Sequence, residues 1–182
     1  MPNWCNNSIT IQGSTDTVET LWEEANKKDS GLLNAMVPMP TELDGTTSPS
    51  DLPNWYDWRV TNWGCKWDVD LEGLEFTNNH DGTSSITGWF DSPWGPPIEA
   101  YNAFLDDMDG CTIEATYEEG GMDFAGIYTD GEDTYLEGIS DFARQKVKTG
   151  KSDDPLYDLL DAEMDLTESR RDYIEEELEE EA

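Results

Sequence analysis

The order of extended and helical segments constrains the fold of this chain more than any single residue does. Alternation of apolar residues predicts a first strand over 4–11, and apolar residues at helical spacing predict a helix from Thr15 or Asp16 to about Lys27. Extended runs at 74–77 and 84–90 flank a turn-rich tip, which predicts a β-hairpin.

The second half of the folded body repeats this pattern. The prolines at 96 and 97 open a helix over 98–108, because proline suits a first helical turn. Strands are predicted over 111–117 and 124–128, and an edge strand over 134–139. The order β-α-β-β-α-β with an extra strand or two predicts an α+β, ferredoxin-like split βαβ sandwich, an antiparallel sheet with two helices on one face.

Two segments stand outside this pattern. Residues 31–66 begin with a proline-rich stretch among Ser and Thr and predict a long surface loop within a domain over 1–145. A basic, glycine-containing link at 146–151 reads as a hinge to an acidic helical extension over 152–182. Asp154 and Pro155 start a helix there, which continues as one kinked helix or a helical hairpin before residues 175–181 fray.

The charge of the chain limits its partners. Forty-two acidic residues against ten basic ones give a formal net charge of −32, and a general nucleic-acid binder needs Lys and Arg to displace counterions from phosphates. Solubility alone requires a net charge of magnitude about 2 to 8. The excess indicates either imitation of a polyanion or adaptation to high salt, while eight Trp, seven Tyr and five Phe argue against general disorder.

Cofactor and catalytic signals are weak. The cysteines at 5, 65 and 111 are odd in number and widely spaced, so they predict neither disulfides nor a zinc clip. Residues 107–110 resemble a calcium loop, but the required spacing places Leu105 and Thr116 at ligand positions. His80 is the only histidine. We therefore expect a non-enzymatic protein without metal or cofactor and, since no leader or membrane segment is apparent, one in the cytoplasm.

Four segments carry a resemblance to a known family. They are the strings at 1–7, at 58–68, at 94–97 and at 117–126, of which the tryptophan-rich string 58–68 is the most specific. Together they resemble the YubB-type ferredoxin-like domain of phage and plasmid accessory proteins over about residues 1–139. Cys65 and Gly95 depart from the pattern, which has Thr and Ser there. The resemblance implies a ferredoxin-like fold without an iron–sulfur cluster, a mobile-element origin and a bacterial host cytoplasm, and it supplies no catalytic residues.

Acidic side chains at helical spacing form the first candidate site. A continuous helix of about 26 residues from Pro155 is roughly 40 Å long, comparable to one turn of duplex DNA. Its carboxylates, with a second patch from the body, predict a surface that imitates a phosphate backbone. The partner-binding candidates are Asp106, Asp107, Asp109, Glu118, Glu119, Asp154, Asp158, Asp161, Asp165, Glu168, Asp172, Glu175, Glu176 and Glu179.

The tryptophan-rich segment forms the second candidate site. It combines aromatic rings with positive charge, which suits a small anionic ligand such as a nucleotide. The candidates are Trp58, Arg59, Asn62, Trp63, Lys66 and Trp67. The alternative is that these rings pack the long connection against the sheet.

The sequence therefore predicts an acidic DNA mimic encoded by a phage or plasmid. It would bind and inhibit a basic DNA-binding host protein such as a defence or restriction nuclease, without contacting nucleic acid or membrane itself. Three alternatives remain open: a nucleotide-binding or sequestering module, an acidic protein adapted to high salt, and a hydrolase that uses carboxylates with a divalent cation. The apolar stripe of the extension suits a homodimer through the C-terminal helix or docking on the body. It comprises Leu156, Leu159, Leu160, Met164 and Leu166.

Overall fold

A computed structural model describes residues 3–181 and shows one six-stranded sheet. The order across the sheet is β2-β3-β1-β4-β5-β6, and every neighbouring pair is antiparallel. The strands are β1 (Trp4–Ser14), β2 (Leu74–Asn78), β3 (Thr83–Pro93), β4 (Thr112–Glu119), β5 (Phe124–Thr129) and β6 (Glu132–Glu137).

Helices cover the sheet on both sides. They are α1 (Thr15–Ala25), α2 (Leu32–Met36), α3 (Trp55–Trp63), α4 (Ile98–Asp107), α5 (Ile139–Thr149), α6 (Pro155–Met164) and α7 (Leu166–Glu180), with a 3-10 turn at Thr41–Leu43. Among residues 3–181, none of these helices combines the length and the hydropathy that a membrane crossing requires.

The connectivity confirms the predicted ferredoxin-like fold. The units β1-α1-β2 and β3-α4-β4 interleave so that β1 and β3 lie side by side in the sheet, while β5 and β6 extend it beyond β4. The predicted extra strands are thus present.

The main core lies between the sheet and helices α1, α2, α3 and α4. Along β1 every second side chain is buried, so that Ile9 and Ile11 face this core while their neighbours point to the other side. Helix α1 presents Val18 and Leu21, and α4 presents Tyr101. The periods of 2 and 3.6 residues in the sequence therefore correspond to the buried faces.

A second core lies on the opposite face of the sheet, where α5, α6 and α7 pack against the β5 and β6 half. Its fully or nearly buried members are Ala125, Ile139, Ala143, Tyr157, Leu160, Leu166 and Ile174. Of the predicted apolar stripe only Leu159 is largely exposed. The stripe thus docks on the body, and the division of the chain into two domains stays a prediction.

The predicted loop over 31–66 is wrong, because this segment contains α2 and α3. Asp68 holds the start of α2: its carboxylate accepts hydrogen bonds from the backbone N–H groups of Leu33 (2.8 Å) and Asn34 (3.2 Å). The side chain of Asn54 caps α3, and Gly64 ends it with φ of 83°. The proline-rich stretch lies between these two helices and contains only the 3-10 turn Thr41–Leu43, so most of the irregular structure of the segment lies in it.

The predicted hinge is wrong. The tail is divided into two helices, in line with the predicted kinked helix or helical hairpin, and it is not the continuous helix on which the comparison with duplex DNA depends. Residues 146–149 of the hinge belong to α5, and α6 and α7 are separated at Asp165, whose φ is 53°. The chain end, predicted to fray, stays helical through Glu180, since Arg144 pairs with Glu177 (2.6 Å) and Glu181 (2.6 Å).

A buried asparagine ties the N-terminal motif to the end of β3. Asn7 Nδ2 donates to the Cys5 carbonyl (2.9 Å) and to Ser92 Oγ (2.8 Å), and Ser92 Oγ donates to the Gly95 carbonyl (2.7 Å). Asn7 is 3% exposed. Two of the segments that carry the family resemblance therefore build one structural corner.

The substitution Asn7→Ala is expected to lower the free energy of unfolding by about 1 to 3 kcal/mol, because buried polar groups lose their partner. Urea unfolding measures the change. Gln12→Ala, on the exposed side of the same strand, is the control and should stay within about 0.5 kcal/mol. Equal losses for both variants would contradict the role of Asn7.

Candidate functional site

A cleft with a volume of about 650 Å³ lies between the outer face of the sheet and α6. Helices α5 to α7 cover the β5 and β6 half of this face and reach β4, and they leave β1 and β3 open. Its main lining side chains are Asn6, Ser8, Thr10, Trp89, Glu114, Thr116, Glu118, Leu159, Glu163 and Met164.

Strand register places these groups in rows. Ser8 lies between Trp89 on β3 and Thr116 on β4, and Thr10 lies opposite Glu114. Because directly opposed residues share a face, the floor of the cleft consists of hydroxyl, amide and carboxylate groups, with one indole that is 62% exposed. Such a floor presents hydrogen-bond donors and acceptors to a polar ligand.

The strands of this face carry acidic side chains and no basic ones. No strand contains Lys or Arg, and none occurs from Trp67 to Ala143 in the sequence. Glu114 and Glu163 are exposed and form no ion pair with any residue in 3–181. Glu118, at the edge, pairs with Arg170. The cleft therefore attracts cations.

Several acids predicted to contact a partner are instead used inside the C-terminal helices. Lys146 Nζ contacts Asp158 (3.0 Å) and Asp161 (2.8 Å). Arg171 pairs with Glu168 (2.7 Å) and Glu175 (3.5 Å). Of the six basic residues between 144 and 171, four thus pair with carboxylates of the chain itself. The acids in these pairs are not free to replace phosphates.

Two other predicted acids have structural positions. Glu119 is 1% exposed and accepts hydrogen bonds from the backbone N–H groups of Gly121 (2.8 Å) and Met122 (2.6 Å). Asp154 caps α6 through Leu156 and Tyr157. Glu119 therefore stabilises a turn, and Asp154 stabilises the start of α6.

The remaining predicted acids are exposed but do not form one row. Three of them lie at or just after the end of α4, three lie on the exposed side of α7, and one lies at the break between α6 and α7. These are Asp106, Asp107, Asp109, Asp172, Glu176, Glu179 and Asp165. The sequence analysis missed the cleft itself, although the outward set of β1 was visible as the polar half of the alternation.

The partly buried ion pair between Lys146 and Asp161 gives a pH prediction. Burial opposes the charged form of Asp161, but hydrogen bonds from Lys146 and Thr167 outweigh it and hold the pKa of Asp161 below its usual value. A lowered pKa contributes stability above the ordinary aspartate pKa, and this stability is lost as the pH falls through the folded-state pKa. The contribution is therefore present at neutral pH and absent in strong acid.

We expect Asp161→Asn to lower the free energy of unfolding by about 1 to 3 kcal/mol at pH 7, and by much less near pH 2. Denaturant unfolding at both pH values measures this. Asp158→Asn is the control, since Asp158 contacts the same Lys146 but its side chain is 51% exposed. A difference between Asp161→Asn and the unmodified chain that is unchanged from pH 7 to pH 2 would contradict the assignment.

The predicted tryptophan pocket does not form as one cavity. The Arg59 guanidinium lies over the rings of Trp55 (5.2 Å) and Trp63 (4.8 Å), and Trp63 is buried with its indole N–H donating to the Val37 carbonyl. Trp58 packs edge-on against Trp63, and Asn62 bonds to the Trp58 backbone.

The cavity that Arg59 and Trp63 do line measures about 410 Å³ and is rimmed by carboxylates. These belong to Asp29, Asp44, Asp68 and Asp70. Such a rim repels an anionic ligand, because like charges oppose binding in a partly desolvated site.

No group of three or more His, Cys, Asp or Glu side chains within residues 3–181 is arranged to hold a metal ion. The acids are numerous, but they are spread along helices and strand ends.

Part of the chain is similar to known proteins. No curated protein matches the chain. A crystal structure of a protein api92 from Yersinia pseudotuberculosis is similar at 17% identity and a TM-score of 0.39, over 59% of this chain. The chain spans 40% of the length of that structure. Residues 71–147, which hold nearly all of the stretch without Lys or Arg, match the family model described as the ferredoxin-like domain in Api92-like protein.

Proposed function

We propose that the protein is a non-enzymatic acidic mimic of DNA that occupies the nucleic-acid cleft of a basic partner protein. The observation that carries the proposal is the open sheet face, whose strands contain no Lys or Arg and whose cleft exposes unpaired carboxylates. The YubB-type resemblance adds a phage or plasmid origin. Within the proposal, the partner is therefore a host defence or restriction nuclease.

The mechanism is competitive exclusion. Lys and Arg of the partner donate charge-assisted hydrogen bonds to carboxylates where they would otherwise bind phosphates. A net charge of −32 also steers a basic surface toward the protein and raises the association rate at low salt. The proposed mechanism involves no covalent step.

We assign the proposed contact to the sheet rather than to the tail, because the tail is not one long helix. Helix α7 has 15 residues and a length of roughly 22 Å, which is shorter than one duplex turn of about 34–36 Å. The broken tail alone therefore does not span a turn of DNA. The sheet cleft, with Glu114 and Glu163 on its two sides, supplies the larger part of the proposed surface.

Salt adaptation explains some of the same charge. Exposed acids also lie on α1, which packs on the opposite side of the sheet from the cleft; examples are Asp16 and Glu19. Those residues suit either explanation. The strands contain no Lys or Arg, but α1 and α4 on the opposite side contain none either, so the distribution of cations fits both explanations and displacement of a bound partner separates them.

Displacement by duplex DNA tests the proposal. The full chain is immobilised, incubated with bacterial lysate at low salt, and eluted either with duplex oligonucleotide or with a neutral polymer. We expect specific elution by the duplex and binding that falls steeply with salt. Retention that ignores both duplex and salt would overturn mimicry, and a thermal midpoint that rises through molar KCl without any DNA-displaced partner would favour salt adaptation.

The nucleotide alternative has weaker support. Arg59 is stacked between two indoles, and the cavity beside it is rimmed by acids. Titration with nucleotides while tryptophan fluorescence is recorded tests it directly.

A further inference from the structure

A second cavity adjoins the cleft and shares Trp89 with it. Its volume is about 340 Å³, and it lies between the start of β1, the end of β3 and the connection 67–73. Three indoles line it: Trp4 is 46% exposed, Trp67 37% and Trp89 62%. A cluster of half-exposed tryptophans marks a binding surface rather than a core, because burial of such large apolar groups normally stabilises the fold.

The backbone holds these rings in place. The Trp89 N–H donates to the Gly73 carbonyl (3.0 Å), and a Cβ at Gly73 would lie 2.2 Å from the Trp89 carbonyl oxygen, so only glycine permits this approach. Trp4 and Trp67 lie 5.8 Å apart with ring planes tilted by 35°. The cavity is therefore formed before any ligand arrives, which lowers the entropic cost of binding.

The charge around the rings selects the ligand. Asp70, Glu72 and Asp91 line the cavity, and no Lys or Arg is found among its described lining residues. The neighbouring Lys66, outside this lining, already places its Nζ 4.0 Å from the centroid of the Trp67 ring. Aromatic faces attract cations, and the nearby carboxylates accept their hydrogen bonds.

We propose that this tryptophan cavity binds the guanidinium group of an arginine side chain. Arginine fits better than lysine because its planar cation stacks on aromatic rings and presents several N–H donors to carboxylates. The inference deepens the proposed function: the arginine belongs to the basic partner, whose chain continues from the cleft across Trp89 into the cavity.

Titration of the full chain with N-acetylarginine amide tests the cavity without any partner. We expect saturable shifts of indole N–H resonances at millimolar concentration and at least tenfold weaker binding of N-acetylcitrulline amide, which has the same shape but no charge. The unmodified protein serves for this measurement, so it does not depend on the folding of a variant. Equal binding of the two amides, or no saturation, would overturn the proposal.

Variants locate the site. Trp67→Ala and Trp89→Ala should each weaken arginine amide binding at least tenfold, while Trp94→Ala, an exposed indole outside the lining, should not. Glu72→Gln should weaken it several-fold, whereas Glu75→Gln on the neighbouring strand is the charge control. Unchanged binding by folded Trp67→Ala and Trp89→Ala proteins would remove the cavity from consideration.

Failure of this inference is distinguishable from failure of the proposed function. If the amide binds in the cavity but Trp67→Ala and Trp89→Ala capture a DNA-displaced partner as well as the unmodified chain does, the cavity has no part in partner binding, and the assignment of the arginine to the partner is overturned. If arginine amide binds as expected and no DNA-displaced partner exists, the mimic proposal fails while the cation site stands.

Discussion

Replacement of Leu160 by alanine lowers the free energy of unfolding by about 2 to 5 kcal/mol, because a large-to-small change in a closed core leaves a cavity. Leu160 is 0% exposed in the core between the sheet and the C-terminal helices. In that core Tyr157 stacks on Phe142 at 5.3 Å, and its hydroxyl lies 2.9 Å from Thr167 Oγ1. Guanidinium or urea unfolding of the full chain measures the loss.

The adjacent Leu159 provides the matched control for this prediction. It has the same side chain on the same helix but is 51% exposed at the edge of the cleft. Leu159→Ala should change stability by no more than about 0.5 kcal/mol. If both variants lose the same stability, α6 does not dock on the sheet through Leu160, and the apolar stripe would instead be free for the predicted homodimer.

The sequence predicts the sheet and its first core well because local patterns determine them. The alternation along β1, the Ser, Pro and Gly punctuation around the helices, and the helical spacing of Val18 and Leu21 each depend on residues close in the chain. Strand pairing followed from the element order alone. This is why the ferredoxin-like topology was accessible without a structure.

Features that depend on distant residues were not accessible. Helix α2 begins where Asp68 accepts its N–H groups, and Arg144 of α5 holds the end of α7 through Glu177. For α5 a signal did exist, since Ile139, Phe142, Ala143 and Val147 follow helical spacing, but its basic residues suggested a hinge. The division of the tail into two helices was predicted, but its position at the left-handed residue Asp165 was not.

The candidate site also depends partly on residues that are distant in the chain. The number of free carboxylates could not be read from composition, because which acids meet Lys146 or Arg171 depends on how three helices pack. Reversal of Asp158 and Asp161 to lysine therefore does not test mimicry. It would place new cations beside Lys146 and disturb the extension itself.

Reversal of the two free cleft carboxylates gives the second large effect. In the double variant Glu114→Lys and Glu163→Lys, binding of a DNA-displaced partner should fall on the order of 100-fold at low salt, because complementary charges become repulsive. The dependence of binding on salt concentration should also become shallower, since fewer charge contacts remain. Equilibrium binding at several salt concentrations, on protein with an unchanged unfolding midpoint, measures both.

A second reversal separates a directed surface from charge in general. Asp16→Lys with Glu19→Lys changes the net charge by the same amount, but these residues lie on α1, on the other side of the sheet from the cleft. A surface that imitates DNA through the cleft loses little binding in this control. If instead both double variants weaken binding equally, only the total charge matters, and the cleft between β4 and α6 has no special part in recognition.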